Sequence, residues 1–308
     1  ATKGAGVGIS AGTADATKCR GWDFGWDSRR YKMRRGWGFG WDSRRYKMQG
    51  LGFRLGRPTL PLVGIRNCLR LPPEESQTSR MVSVVIVAAG KGTRMGPNVD
   101  KLFLEVAGKP VIEHSWRRID AAAIVDEIVL VVRDGMEGAF EELAAEIAPA
   151  KPYRLVKGGA ERQDSVANGL HALSPASEIV AIHDGARPCV TAELIASTVS
   201  AARETGAAVA AQRVSDTIKE SEDGRTISGH PERSRLWAVQ TPQTFRVDVI
   251  RRALEETRRR NAVITDDTAA CEFIGQPVGL VEFAGANPKV TAPGDLPQIE
   301  ALLKSCEA

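Results

Sequence analysis

Residues 82–96 read VSVVIVAAGKGTRMG, and this stretch decides the fold prediction. The segment 82–89 is mostly apolar and β-branched, which predicts a short buried strand. The segment 88–96 holds three glycines and two cations, a composition typical of a loop that wraps phosphate groups. Its spacing fits neither GxGxxG nor GxxxxGK[ST]. A tight strand–helix turn is the competing interpretation, and the glycines alone do not decide between the two.

Apolar runs and helical patterns alternate beyond this loop. Further strands are predicted at 126–133, 153–159, 178–184 and 206–212, and helices at 109–122, 137–147, 164–173 and 191–206. Continuous apolar strands that alternate with long helices predict an α/β fold with a Rossmann-like, mostly parallel sheet covered on both faces. Ligands of such sheets bind at the carboxyl ends of the strands, and the motifs of this chain fall there.

Two more motifs follow predicted strands. In GGAERQDSV (158–166), backbone groups and Ser165 are placed to contact a base or sugar, although a capped glycine turn explains the same residues. In HDGARP (183–188), Asp184 ends a strand and is placed to hold Mg²⁺, which prefers one or two carboxylates plus substrate phosphates. A helix cap is the alternative for Asp184. We expect His183 to be a packed, hydrogen-bonded residue rather than a ligand.

The composition excludes several classes of protein. With 43% hydrophobic and 26% charged residues, the chain is expected to be soluble and globular. No apolar run approaches the roughly 20 residues of a membrane span. The five cysteines are scattered without a CxxC pair, which favours a reducing compartment over a disulfide framework or a structural zinc site.

Residues 1–80 differ in charge from the rest of the chain. They carry 16 Lys and Arg against 6 Asp and Glu, whereas 81–308 carry 26 against 32. A tandem repeat, 21–35 followed by 36–50, differs at three of fifteen positions and holds four of the six tryptophans. We interpret 1–80 as a basic, disordered extension before a domain that starts at Met81. The alternatives are an arm that contacts nucleic acid or an anionic surface, and a transit peptide.

These motifs, in this order, make residues 81 to about 305 closely resemble the 2-C-methyl-D-erythritol 4-phosphate cytidylyltransferase family. The later motifs agree: SDTIKE (215–220), LWAVQTPQTF (236–245), ITDDTAACE (264–272) and NPKVT (287–291). Many sugar-nucleotide transferases share the first loop, so the combination of motifs carries the resemblance.

The resemblance implies an activity and an assembly. The expected fold is of the nucleotidyltransferase (GT-A-like) type, and the expected reaction transfers a cytidylyl group from CTP to the methylerythritol phosphate, with Mg²⁺ as cofactor. The segment 213–235 matches an arm that exchanges between subunits, which implies a homodimer. No membrane or nucleic-acid partner is expected, and the location is cytoplasmic, or a plastid if 1–80 is a transit peptide.

The resemblance also assigns roles to individual residues. The cations that act in catalysis are Arg94, Lys101 and Lys289. The CTP contacts are Ala88, Ala89, Gly90, Gly92, Gly158, Ala160 and Ser165. The residues for the second substrate are Arg187, Asp216, Thr217, Arg233 and Thr265. Asp184 matches the Mg²⁺ ligand, and Gly185 stands where the family usually has alanine.

The expected chemistry agrees with what the sequence lacks. A phosphate monoester is largely dianionic at neutral pH, so its oxygen is already a nucleophile and no general base is required. No Ser/His/Asp or Cys/His signature is found. Two rivals remain: a sister cytidylyltransferase acting on ribitol 5-phosphate, and a binding or regulatory protein whose transferase fold is inactive.

Overall fold

The computed structural model describes residues 81–90 and 100–307. The predicted extension, 1–80, lies outside the described residues. So do Gly92 and Arg94 of the glycine-rich loop, and their assignments stay predictions.

Seven strands form one sheet in the described part of the chain. They are β1 (Met81–Ala88), β4 (Glu127–Val132), β5 (Tyr153–Lys157), β6 (Ser177–Asp184), β7 (Ala207–Arg213), β8 (Trp237–Arg246) and β9 (Gly279–Glu282), in the order β5-β4-β1-β6-β8-β7-β9. β8 runs antiparallel to β6 and β7, and the other pairs are parallel. A separate hairpin joins β2 (Glu105–Val106) to β3 (Lys109–Pro110). The prediction of a mostly parallel sheet is confirmed.

Helices cover both faces of this sheet. They are α1 (Val111–Asp120), α2 (Glu137–Ile147), α3 (Arg162–His171), α4 (Ala192–Thr205), α5 (Val247–Arg259), α6 (Asp267–Glu272) and α7 (Leu296–Glu307). Alternating residues of β1 separate two cores, because side chains of a strand point to opposite faces in turn. Val84 and Ile86 pack with α1, α2, α4 and α7, whereas Val85 packs with α3, α5 and α6. None of the described helices has the length and apolarity needed to cross a bilayer.

Helix α4 begins and ends where the sequence predicts. The Thr191 hydroxyl oxygen accepts a hydrogen bond from Leu194 N at 3.1 Å, as an N-cap residue does. Gly206 ends the helix with a φ of 90°, a left-handed conformation that glycine adopts without a steric penalty. The predicted helix at 191–206 is therefore confirmed, with its cap at Thr191 and its end at Gly206.

The predicted starts of two helices need correction. Helix α3 begins at Arg162, two residues before the predicted start at Asp164 or Ser165. Asp164 lies in the first turn, where its carboxylate accepts a hydrogen bond from Glu161 N at 3.2 Å. It thus binds the backbone one turn back instead of preceding the helix. Helix α1 begins immediately after Pro110, which was expected inside its first turn.

Candidate functional site

A cavity of about 520 Å³ opens at the carboxyl edge of the sheet. It lies beyond the ends of β1, β4, β5 and β6, which are neighbouring parallel strands. Nine of the residues assigned from the sequence line it: Ala88, Ala89, Gly90, Lys101, Gly158, Ala160, Ser165, Asp184 and Lys289. The structure therefore brings residues from opposite ends of the domain into one site.

Small residues form one wall of the cavity. The chain leaves β1 at Ala88 and continues through Ala89 and Gly90, next to the segment that follows β5. A Cβ atom on Gly158 would lie 2.3 Å from Ala89 Cβ, a distance that real atoms do not adopt. Gly158 N donates to Val132 O at 2.8 Å, which fixes the glycine at the end of β4. Gly158 thus packs directly against the Ala89 methyl group, and a flat ligand can approach this wall closely because no large side chain projects from it.

Ser165 is buried and holds the start of α3. Its hydroxyl oxygen accepts a hydrogen bond from Gly159 N at 3.0 Å and donates to Glu161 O at 3.1 Å. These two bonds fold the GGAERQDSV segment into the turn that borders the cavity. The structure thus gives Ser165 an organising role in the turn, and its hydroxyl also lines the cavity.

Asp184 is the acidic centre of the site. Lys289 Nζ lies 2.6 Å from its Oδ2, and Arg162 Nη2 lies 3.4 Å from its Oδ1. Burial opposes ionisation of this carboxyl, but the Arg162 guanidinium and the Lys289 ammonium outweigh burial and hold its pKa well below the usual range. The competing interpretation, a helix cap, is not what the contacts show. Asp184 is an anion faced by two cations at the edge of the cavity.

His183 is packed and hydrogen-bonded, as expected. It is fully buried, and its Nε2 lies 3.2 Å from Arg187 O, which can only accept. Nε2 therefore carries the proton, and Nδ1 accepts from the Thr241 hydroxyl at 3.1 Å. Burial lowers the pKa of His183 to about 4, so the ring is neutral at pH 7. The same Thr241 oxygen accepts from Asp184 N at 3.1 Å, which fixes the backbone of the acidic residue.

The NPKVT segment reaches the site through backbone bonds. Val290 N donates to Ala186 O at 2.8 Å, and Lys101 Nζ donates to Val290 O at 2.9 Å. These bonds place Lys289 beside Asp184 and bring Lys101 from the other side of the domain. Two lysines of the sequence prediction thus lie at one end of the cavity.

Five assigned residues do not line the cavity of the single chain. Arg187 lies beneath it, where its Nη1 donates to Asn287 O at 2.7 Å and its Nε lies 3.9 Å from Asp184 Oδ2. The other four are exposed: Asp216, Thr217, Arg233 and Thr265. Three of these four belong to the predicted exchange arm, for which a single chain shows no partner site.

The sequence interpretation did not assign five charged residues of the site. Arg133, Asp134, Glu161 and Arg162 line the cavity, and Asp267 pairs with Arg162 from outside it. Arg162 and Asp267 lie inside the motifs GGAERQDSV and ITDDTAACE. Charged residues next to a glycine turn and in a TDD triplet were the available signals. Arg133 Nη2 binds Asp100 Oδ2 at 2.8 Å, across a sequence distance that no local pattern reveals.

Comparison with known proteins identifies the domain. The family model for 2-C-methyl-D-erythritol 4-phosphate cytidylyltransferase matches residues 82–305. A protein of that name from Alkaliphilus oremlandii (strain OhILAs) is 40% identical over 224 residues, which are 72% of this chain and 95% of the relative. The one from Pelotomaculum thermopropionicum is 43% identical over 229 residues, covering 73% and 94%.

Solved structures give the same result. The 4-diphosphocytidyl-2C-methyl-D-erythritol synthase of Anaerococcus prevotii superposes with a TM-score of 0.65 at 32% identity, covering 73% of this chain and 96% of that one. The 2-C-methyl-D-erythritol 4-phosphate cytidylyltransferase of Thermus thermophilus has a TM-score of 0.59 at 34% identity, covering 73% and 99%. The chain therefore belongs to the 2-C-methyl-D-erythritol 4-phosphate cytidylyltransferase family.

Proposed function

We propose that the chain transfers the cytidylyl group of CTP to 2-C-methyl-D-erythritol 4-phosphate. The products are 4-diphosphocytidyl-2-C-methyl-D-erythritol and pyrophosphate, in the non-mevalonate route to isoprenoid precursors. One observation carries the proposal beside family membership. A single cavity joins a wall of small residues to an acidic residue that is flanked by cations.

The two ends of the cavity suit the two ends of a nucleoside triphosphate. The base and ribose fit against Gly158, Ala160 and Ser165, which line one part of the cavity. The triphosphate fits along Ala88–Gly90 toward Lys101. Arg94, in the same loop, would add a second cation to the phosphates. Successive backbone N–H groups of a glycine-rich loop bind phosphate oxygens, and this needs no GxGxxG spacing.

Asp184 fits the role of a Mg²⁺ ligand. No group of three or more His, Cys, Asp or Glu side chains converges anywhere in 81–90 or 100–307. A metal held by the described residues would therefore take most of its ligands from substrate. Mg²⁺ is bound in this way, by one or two carboxylates plus phosphates and water. Asp184 supplies such a carboxylate at the cavity edge, where Arg162 and Lys289 keep it ionised. Mg²⁺ would supply additional positive charge to the phosphates.

The reaction needs positioning and charge neutralisation more than proton transfer. The attacking phosphate oxygen carries its own charge at neutral pH, and pyrophosphate is a stable leaving group. Lys101 and Lys289 supply positive charge where negative charge builds at the α-phosphorus. Lys289 is held at Asp184 by a 2.6 Å ion pair, so its ammonium is pre-oriented before substrate arrives. His183 is neutral and enclosed, which agrees with a structural rather than acid–base role.

We propose that the protein acts as a homodimer through the segment 213–235. Its residues are almost all exposed in the single chain, and Ile218 and Ile227 are 39% and 60% accessible. Glu220 pairs with Gly229 across the middle of the segment, and Val214 N donates to Leu236 O at 3.4 Å at its base. An arm with exposed apolar residues and little contact to its own domain suits exchange with a second copy.

Mixing two inactive variants tests the arm. If Arg233 serves the partner's site, Arg233→Ala chains mixed with Lys289→Ala chains regain roughly a quarter of wild-type turnover, because half of the dimers are mixed and each has one intact site. A mixture that stays inactive while forming dimers would contradict the exchange of Arg233. Light scattering on the wild-type chain tests the dimer itself.

A paired assay tests the proposed function. Pyrophosphate release from CTP is measured with 2-C-methyl-D-erythritol 4-phosphate and, separately, with ribitol 5-phosphate. The assay is run on the full chain and on a chain that begins at Met81. We expect turnover with the methylerythritol compound and equal activity of both chains. Faster turnover with ribitol 5-phosphate would overturn the substrate assignment. No turnover, with salt-sensitive nucleic-acid binding that requires 1–80, would favour a binding protein.

The proposed setting is the bacterial cytoplasm. The named relatives are bacterial proteins, and the buried Cys271 is a free thiol. Fractionation of cells that express the full chain tests this location, and recovery with a membrane or an organelle would contradict it.

A further inference from the structure

Asp267 is a fully buried carboxylate at the start of α6. Arg162 Nη1 lies 2.5 Å from its Oδ2. No described donor lies within hydrogen-bond distance of its Oδ1. Its backbone N donates to Gln243 Oε1 at 3.0 Å, which fixes the residue against β8. Burial raises the pKa of Asp267 and the Arg162 guanidinium opposes this shift. Burying an ionised carboxylate costs folding free energy unless a paired cation compensates for the lost hydration, so the Arg162–Asp267 ion pair favours one geometry.

Arg162 extends from α3 to two carboxylates at once. Its Nη1 binds Asp267, while its Nη2 lies 3.4 Å from Asp184 Oδ1. About a third of its side chain is exposed, and it lines the cavity. A long arginine side chain loses rotamer freedom when it is held in this way. The planar fork of the guanidinium lets it bridge two acids, which a lysine ammonium on a flexible stem does less well.

We infer that Asp267 is a positioning residue that acts through Arg162. It holds the guanidinium at the rim of the cavity, next to Asp184, and so connects the segment containing Thr265 to the nucleotide site. This inference rests on the proposed function, because the cavity is taken as the CTP site. The arrangement places a further cation, besides Lys101 and Lys289, where phosphates are expected.

The test is a double-mutant cycle. Asp267→Asn and Arg162→Gln are each expected to lower kcat/KM by about 10–100-fold, as is typical when the partner of a site residue is removed. The double variant is expected to be no slower than Arg162→Gln alone, because Asp267 acts only through Arg162. Two effects that multiply in the double variant would overturn the inference. So would wild-type kcat/KM in Asp267→Asn.

Glu113→Gln is the matched control. Glu113 is also a buried carboxylate paired with an arginine, Arg117 at 2.7 Å, but it lies in α1 outside the cavity lining. We expect it to change the melting temperature without changing kcat/KM. The same outcome for Asp267→Asn would show a purely structural ion pair and would refute the positioning role.

The turnover of Arg162→Lys and the binding of CTP give two further tests of the positioning role. If Asp267→Asn does not fold, Arg162→Lys replaces it in the test. This variant keeps the positive charge but bridges the two carboxylates poorly, so it is expected to lose most of the turnover. Full activity of Arg162→Lys would overturn the inference. If the wild-type chain proves inactive, the proposed function fails separately. Calorimetric CTP binding then gives the answer, with weaker binding expected in Asp267→Asn and no further loss when Arg162→Gln is added.

Discussion

Replacing Gly158 by alanine should disrupt the wall of the cavity by overpacking. The φ of Gly158 lies outside the left-handed region, so alanine can adopt its backbone conformation. The added methyl group would nevertheless lie 2.3 Å from Ala89 Cβ, 3.1 Å from Ser165 Oγ and 3.4 Å from Val132 O. The first of these contacts forces β1 and the segment after β5 apart. Overpacking of a well-packed site costs about 1–3 kcal/mol.

Thermal unfolding measures this cost directly. For a domain of this size, each kcal/mol lowers Tm by about 2–4 °C, so Gly158→Ala should lower Tm by several degrees. Gly90→Ala is the matched control, because no described atom lies within 4 Å of a Cβ at that position. CTP protection against unfolding should also weaken in Gly158→Ala, because the base wall is displaced.

A second substitution tests whether the close contact with Ala89 causes the loss of stability. Ala89→Gly removes the methyl group that Gly158→Ala would strike, so Gly158→Ala should cost much less in an Ala89→Gly background. An unchanged Tm in Gly158→Ala would refute the steric argument. The steric argument would also be refuted if Gly158→Ala lowered Tm as much in the Ala89→Gly background as in the wild-type chain, because the close contact with the Ala89 methyl group would no longer exist.

Three other outcomes follow from single contacts. Lys289→Ala should lower kcat by about 10²–10³-fold without unfolding the chain, whereas Lys304→Ala, which removes a surface ion pair with Glu300, should leave steady-state turnover unchanged. Thr191→Ala removes the cap of α4 and should cost about 1 kcal/mol in a denaturant titration; no change would mean that the 3.1 Å bond contributes nothing. Burial, reinforced by nearby carboxylates, raises the pKa of the Cys271 thiol to about 12. Iodoacetamide at pH 8 should therefore label Cys271 slowly in the native chain and rapidly after denaturation, which site-resolved mass spectrometry measures.

The fold was predictable because its central strands β1, β4 and β6 are buried on both faces. β4 is buried at all six positions, and β1 at six of eight, so these strands read as continuous apolar runs. The antiparallel β8 was not predicted as a strand. Its sequence, WAVQTPQTFR, mixes polar residues with a proline, and its buried half includes Thr241, Gln243 and Thr244. Hydrogen bonds to partners far along the chain satisfy these groups, and no local pattern reveals such partners.

The site was predictable where it depends on backbone and less so where it depends on ion pairs. Small residues after β1 and β5 are visible as glycine-rich motifs, and a carboxylate at a strand end is visible as HDGARP. The Arg162–Asp267 pair joins residues 105 positions apart. Each of the two looks like an ordinary surface charge in the sequence. Only the fold, which brings the first residue of α3 to the first residue of α6, turns them into a buried pair.

The strand order explains why one glycine loop does not define the activity. β1 lies between β4 and β6, so the loops after these parallel strands meet above its carboxyl end. A glycine-rich segment such as the one that follows β1 suits nucleotides of many kinds, because backbone N–H groups without large side chains can approach phosphates closely. Asp184 enters from β6, and Lys289 enters from the segment that follows β9 and docks on Ala186 through Val290 N. Selectivity for one nucleotidyl transfer therefore depends on what surrounds the phosphate loop, and substitutions at Lys289 or Arg162 should alter turnover more than they alter nucleotide binding.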